Sequence, residues 1–119
     1  MSQTDDLIFP KEDIKVWIDA LRSGNYRQGT SSLQDNFGGF CCLGVMCKVL
    51  FSDLVERKED GKIAGSFPDQ HPQLPLWAHR INVDVYARGA APHSLVSLND
   101  TYGYTFDQIA DVLEKGYLV

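Results

Sequence analysis

Two adjacent cysteines, Cys41 and Cys42, with a third at Cys47, are the residues of this chain best able to do covalent chemistry. A thiol at a helix N-terminus gains thiolate character from the helix dipole and from free backbone N–H groups. Cys41 or Cys42 stands where such a helix is expected to begin. Gln28 lies upstream and His71, His79 and His93 lie downstream, in the loose order of a cysteine hydrolase. The neighbours point the other way. Phe40, Leu43, Val45 and Met46 surround the thiols in sequence, and unpaired cysteine is among the most often buried residue types. None of the histidines sits in a recognisable catalytic motif, so no catalytic residue is assigned.

Zinc fits no better. A structural zinc site needs two ligand pairs at separations of about two to four residues. Cys42 and Cys47 have four residues between them and no second pair accompanies them. An odd number of cysteines, two of them adjacent, is also a poor disulfide framework. Reduced core thiols are expected, with no metal and no cofactor.

A better candidate lies just before the thiols. The stretch Arg22-Ser23-Gly24-Asn25-Tyr26-Arg27-Gln28-Gly29-Thr30-Ser31-Ser32 is dense in hydrogen-bond donors and carries two guanidinium groups beside an aromatic ring. Such a loop can grip a phosphate or carboxylate bidentately and stack a base on Tyr26. Glycines let its backbone come close to a ligand. Asn99 and Asp100, in a turn between two expected helices, could read polar edges such as ribose hydroxyls. Arg22, Tyr26, Arg27, Gln28, Asn99 and Asp100 are therefore the candidate ligand-binding residues, for a small phosphorylated ligand. The same residue types also populate ordinary surface turns.

Charge narrows the partners. Eleven basic and sixteen acidic residues give a net charge of −5, which disfavours double-stranded nucleic acid. Residues Leu95 to Leu113 imitate the first half of a helix-turn-helix, yet the segment after Thr105 carries Asp107, Asp111 and Glu114 against Lys115, and phosphates would be repelled there. An acidic surface suits docking on a basic host protein, which is the alternative to a small ligand. No run approaches the eighteen or more apolar residues of a membrane span. The polar, acidic start of the chain lacks the features of a signal peptide, so a cytoplasmic setting is expected. A homo-oligomer is compatible with all of this.

The elements that must position these residues follow from periodicity. Ile14, Trp17, Ile18 and Leu21 mark one face of a helix over Lys11 to Ser23, with Pro10 suited to its first position and Gly24 to its end. Tyr26 to Leu33 reads as extended, followed by turn residues at Asp35 to Gly39, after which Phe40 and Cys41 could pair back as a short strand. Cys42 to Leu50 reads as an almost wholly apolar helix, hence buried on most sides. Gly44 inside it implies a closely packed neighbour. Glu59-Asp60-Gly61 signals a hairpin between Leu54–Arg57 and Lys62–Ala64. Short helices are expected at Leu76–Ile81 and Ser94–Asp100. Thr105 and Gln108 match a capping box for a last helix that Gly116 should end. The fold class expected is α+β: one domain over residues 1–119, with a flexible tail at 1–9 and three to five helices on a small antiparallel sheet or hairpins.

Four separated segments also resemble a known group. They are Trp17-Ile18-Asp19-Ala20-Leu21-Arg22-Ser23-Gly24-Asn25-Tyr26-Arg27-Gln28-Gly29, Phe40-Cys41-Cys42-Leu43-Gly44-Val45-Met46-Cys47, and Leu74-Pro75-Leu76-Trp77-Ala78. The fourth is Leu98-Asn99-Asp100 with Gly103, Thr105-Phe106 and Ile109-Ala110-Asp111. In this order they resemble a family of small uncharacterised bacteriophage and prophage proteins. The match spans roughly residues 14 to 115, with the stretch Asn82 to Pro92 departing from the pattern. The resemblance implies a phage origin and the cytoplasm of an infected cell. It implies no activity. The expected role is therefore an accessory binding protein without catalysis, sequestering a nucleotide-derived ligand or signal of host defence, or alternatively inhibiting a host factor through an acidic face, with a cysteine-dependent enzyme a distant third.

Overall fold

Helix α1, Lys11–Arg22, buries Ile14, Trp17, Ile18 and Leu21, the stripe its spacing predicts. Pro10 sits at the N-cap in extended conformation instead of in the first turn, and Gly24 follows the helix with φ +79°. This is a computed structural model, and it describes residues 8–63, 65–68 and 71–119. Most of the expected tail, residues 1–7, lies outside the described residues. Phe9 does not behave as tail: its ring packs against Tyr117 with centroids 4.9 Å apart.

The architecture is α+β, with six α-helices and one two-stranded sheet among the described residues. Strand β1, Arg27–Gln28, pairs with β2, Gly39–Phe40, in parallel, with Arg27 opposite Gly39 and Gln28 opposite Phe40. The expectation of an antiparallel sheet is thus corrected for this pair. Its reason lies in the intervening chain, which turns twice and contributes Gln34 as an antiparallel bridge to Phe40. Extended structure also stops earlier than predicted: the Gly29 N–H still donates to the Phe40 carbonyl of β2, but the Gly29 carbonyl and the Ser31 N–H turn to Asn99 and Asp100 of α5.

Helix α2, Cys42–Leu50, is the centre of the core, and Cys42 through Cys47 are all buried. Its start is capped by the Cys41 thiol, which accepts from the Gly44 N–H at 3.4 Å. The Trp17 indole N–H donates to the Cys42 carbonyl at 3.0 Å, which ties α1 to α2. A methyl group at Gly44 would overlap the backbone carbonyl of Leu33, so the glycine marks the close approach that its presence in a helix implied.

Helix α3, Ser52–Val55, replaces the first arm of the predicted hairpin. A single antiparallel bridge, Glu56 to Ile63, remains of it, with Gly61 at φ +68° in the turn. Helix α4, Leu76–Ala87, runs a turn and a half beyond its predicted end. Helix α5 is Leu95–Asp100 and α6 is Phe106–Leu113, the latter with the predicted capping box of Thr105 and Gln108.

Gly116 does not end the last helix. The chain continues from α6 as a π-helical turn over Glu114–Leu118. There Gly116 serves close packing, since a Cβ on it would come within 2.9 Å of the Ala90 methyl. The turn is held by Arg88, which donates to Asp84 at 2.6 Å and to the Gly116 carbonyl at 2.9 Å, and lies 4.1 Å above the Tyr117 ring. The Tyr117 hydroxyl donates to the same Asp84 at 2.7 Å. Burial and that hydrogen bond push the phenol well above its ordinary value.

Candidate functional site

The six residues singled out by sequence divide into three groups. Gln28, Asn99 and Asp100 form one hydrogen-bonded network. The Gln28 amide donates to Asn99 Oδ1 at 2.8 Å and to the Tyr104 carbonyl at 2.7 Å, and its Oε1 accepts from the Phe106 N–H at 3.1 Å. Asn99, only 3% exposed, donates to the Gly29 carbonyl at 2.9 Å and to Asp100 Oδ1 at 2.7 Å. Asp100 Oδ2 accepts from the Ser31 N–H at 3.1 Å. Both N–H donors of each amide are therefore used. Gln28 and Asn99 brace the donor-rich loop against α5 and the start of α6, and no donor of theirs is left for a ligand.

Arg22 and Tyr26 form the second group. With Gln28 they border a hollow of about 280 Å³ between the end of α1, β1 and the start of α6. The Tyr26 ring stands edge-on to Phe40, centroids 5.6 Å apart. Arg22 is already occupied, bonding Asp111 at 2.6 Å and Glu114 at 3.1 Å. Asp107 also lines this hollow. Its charge balance is hostile to a phosphate.

Arg27 stands apart. Successive strand residues point to opposite faces, so Arg27 faces away from Tyr26 and Gln28. Its Nη2 lies 3.8 Å from where a Gly38 Cβ would be, against the turn Asp35–Gly38. That turn is built by Asp35, whose Oδ1 accepts from the N–H groups of Phe37 and Gly39, both at 2.8 Å. The Gly39 and Phe37 donors hold the Asp35 carboxyl below the usual carboxylate range, with Arg27 and Lys62 adding to the effect.

Beyond the turn opens a second hollow of about 270 Å³, between the 34–40 and 56–63 loops. Gln34 joins the two loops at its base, its Oε1 accepting from the Ile63 N–H at 2.9 Å. Arg57 and Lys62 line it, and so does Phe37, a ring 83% exposed at the tip of the turn. Among the described residues, Arg27 and Lys62 make no ion pair. Arg57 is paired with Asp60 at 2.7 Å on one edge of its guanidinium. Phe37, Arg57 and Lys62 were not singled out from sequence. The available signal was a large aromatic placed inside the turn Asp35-Asn36-Phe37-Gly38-Gly39, where a polar residue would be ordinary.

The thiols behave as core. Cys41, Cys42 and Cys47 are free and buried. Burial pushes all three upward from an ordinary value near 9.0, Cys47 to about 12. A nucleophilic thiolate requires the opposite shift. Because the folded-state values are raised, the stabilisation is complete below pH 9 and is lost as pH rises above it. Stability should then fall by up to about 1.4 kcal/mol per pH unit for each thiol. Urea unfolding at pH 8 and pH 10 measures this, and triple Cys→Ser replacement should flatten the slope. Alkylation in native buffer should be slow and become fast in denaturant.

No helix among the described residues is long and apolar enough to cross a membrane, and among them no three His, Cys, Asp or Glu side chains gather as a metal site. No curated protein matches the chain, and neither does any solved structure. A family profile does match, over residues 11–117, from the first helix into the π-helical turn. The match takes in the cysteine helix, the Gln28–Asn99 network and both loops of the cationic hollow, and the chain accordingly belongs to the domain-of-unknown-function family DUF8296.

Proposed function

We propose that this protein is a phage-type accessory binding protein, without catalysis, that holds a small phosphorylated, nucleotide-derived ligand in the infected cell. The observation that carries this reading is the hollow between the 34–40 and 56–63 loops. It brings Lys62 and Arg57 beside an exposed Phe37, with Arg27 against the same turn. Lys62 and Arg27 make no ion pair among the described residues, whereas Arg57 is shared with Asp60 and the Asp35 carboxylate, tied to the Phe37 and Gly39 N–H groups, also lines the hollow. Local positive charge next to an exposed ring suits a phosphate with an attached base. The raised thiol values argue against a cysteine nucleophile.

Nucleotides and cyclic nucleotides should raise the melting temperature. Lys62→Ala and Arg27→Ala should each weaken binding about ten- to a hundredfold, the usual loss for a charged hydrogen bond. Arg22→Ala should leave affinity unchanged, because its guanidinium serves Asp111 and Glu114. Absence of any shift with every phosphorylated ligand would sink the reading.

A second reading, inhibition of a host protein, draws support from an apolar surface and not from the acidic face expected from sequence: Leu76, Val83 and Tyr86 are exposed on the outer side of α4. Recovery of one host protein by the wild type and its loss with Val83→Asp would favour that role.

A further inference from the structure

Asp100 is placed against the local electrostatic rules. It is the last residue of α5, where the helix dipole disfavours a carboxylate. No Lys, Arg or His comes within ion-pair distance of it among the described residues. It also holds Ser31, at φ +70° the one non-glycine residue of positive φ among those described. A strained residue tethered to an unpaired carboxylate is an arrangement found more often at sites than in scaffolds.

The two lie at the edge of a hollow of about 250 Å³. Leu33, Leu43 and Val96 supply apolar walls and Phe67 a ring. This hollow adjoins the cationic one, since Ser32 and Gly65 line both. It therefore offers a flat molecule aromatic and aliphatic walls and, at one end, a hydrogen-bond acceptor that cannot donate.

We infer that the hollow beside Asp100 is a base slot selective for guanine, the base moiety of the nucleotide whose phosphate lies by Lys62. This inference rests on the reading of the cationic hollow as a phosphate site. An ionised carboxylate offers about four lone-pair positions. Asn99 and Ser31 use two of them. A guanine edge presents two neighbouring N–H donors, the ring imino and the exocyclic amino group, and satisfies the remainder. Adenine and cytosine each set a ring acceptor beside their donor, which the carboxylate repels. Asp100 is half-buried, and a site that hydrogen-bonds its partner rejects a mismatched one more strongly than a purely apolar site does.

Calorimetric titration with GMP, IMP, AMP, CMP and unphosphorylated guanosine tests this. GMP should bind at least tenfold more tightly than AMP or CMP, with IMP, lacking the amino donor, in between. Amide resonances of Ser31, Ser32, Val96 and Asp100 should move on addition of GMP. Asp100→Asn should abolish the preference. Since that change also alters the bond to Asn99, Val96→Phe, which fills the hollow from a half-buried position, serves as the second variant and should weaken GMP and IMP while leaving the weaker AMP and CMP affinities unchanged.

The failures are distinguishable. Equal affinity for GMP, AMP and CMP overturns the base slot and leaves the phosphate site standing. Guanosine binding as tightly as GMP overturns the phosphate site instead. Binding of none of them overturns both.

Discussion

Replacing Gly44 by alanine should destabilise the protein by about 3–5 kcal/mol, at the severe end of what one added carbon does in a packed interior. The added Cβ would fall on the carbonyl group of Leu33, and Leu33 Cα would be 3.0 Å away. The obstacle is backbone and not the end of a flexible side chain, so no rotamer change relieves it. Leu33 cannot retreat easily either. Its N–H donates to the Gly65 carbonyl at 2.9 Å, and its carbonyl accepts from the Cys41 N–H at 3.3 Å. Moving α2 away instead would disturb the Trp17–Cys42 bond and the packing of α1. With a total stability of about 5–15 kcal/mol for an ordinary domain, the variant should sit near its folding threshold. Urea unfolding of wild type, Gly44→Ala and Gly65→Ala checks this. Gly65 is the control, because a Cβ there meets only Ser32 Oγ at 3.8 Å, and its change should stay within about 0.5 kcal/mol. A fully folded Gly44→Ala with wild-type midpoint would show that α2 and the 31–34 loop are not held in contact.

The second large effect belongs to Asn99. Asn99→Ala removes one acceptor and two donors from a buried position and strands their partners. A Gln28 N–H and the Gly29 carbonyl lose their bonds, and the Asp100 carboxylate loses a donor. Each buried group left unsatisfied costs about 1–3 kcal/mol, so a loss of about 2–4 kcal/mol is expected, allowing for water reaching the partly exposed members. Gln28→Ala should cost a similar amount, since three bonds converge on that side chain. The two losses should not add. Residues sharing one network show coupling energies of about 0.5–3 kcal/mol, so the double variant should be clearly more stable than the sum of the singles implies. Strict additivity would mean that Gln28 and Asn99 act separately.

Local patterns carried the helices. The stripe of α1, the all-round apolar character of α2 and the capping box of α6 are short-range properties, and each element formed where its residues dictate. Gly44 was legible in the same way, because a glycine inside a buried helix already implies an intruding neighbour. The strands were legible in place but not in direction or extent: the Tyr26–Leu33 stretch holds β1 and Phe40 belongs to the strand that pairs back on it. A two-residue parallel pair depends on where the chain returns after two turns, which no local periodicity encodes. The hairpin at 54–64 shrank to one bridge for the same reason, as residues 52–55 found a helical turn packed behind α2.

The candidate site divides along the same line. Sequence alone determined that the donor-rich loop from Arg22 to Ser32 and the pair Asn99-Asp100 are exceptional, and that the cysteine segment is core, because those are matters of residue type and density. Only the tertiary structure decided what each polar group is for. Folding spends Gln28 and Asn99 on one another, spends Arg22 on Asp111 and Glu114, and turns Arg27 to the opposite face of its strand. It brings in Phe37, Arg57 and Lys62 from loops some twenty residues apart in the chain. A side chain's hydrogen bonds can be given once, and which partner takes them is settled by distances in space.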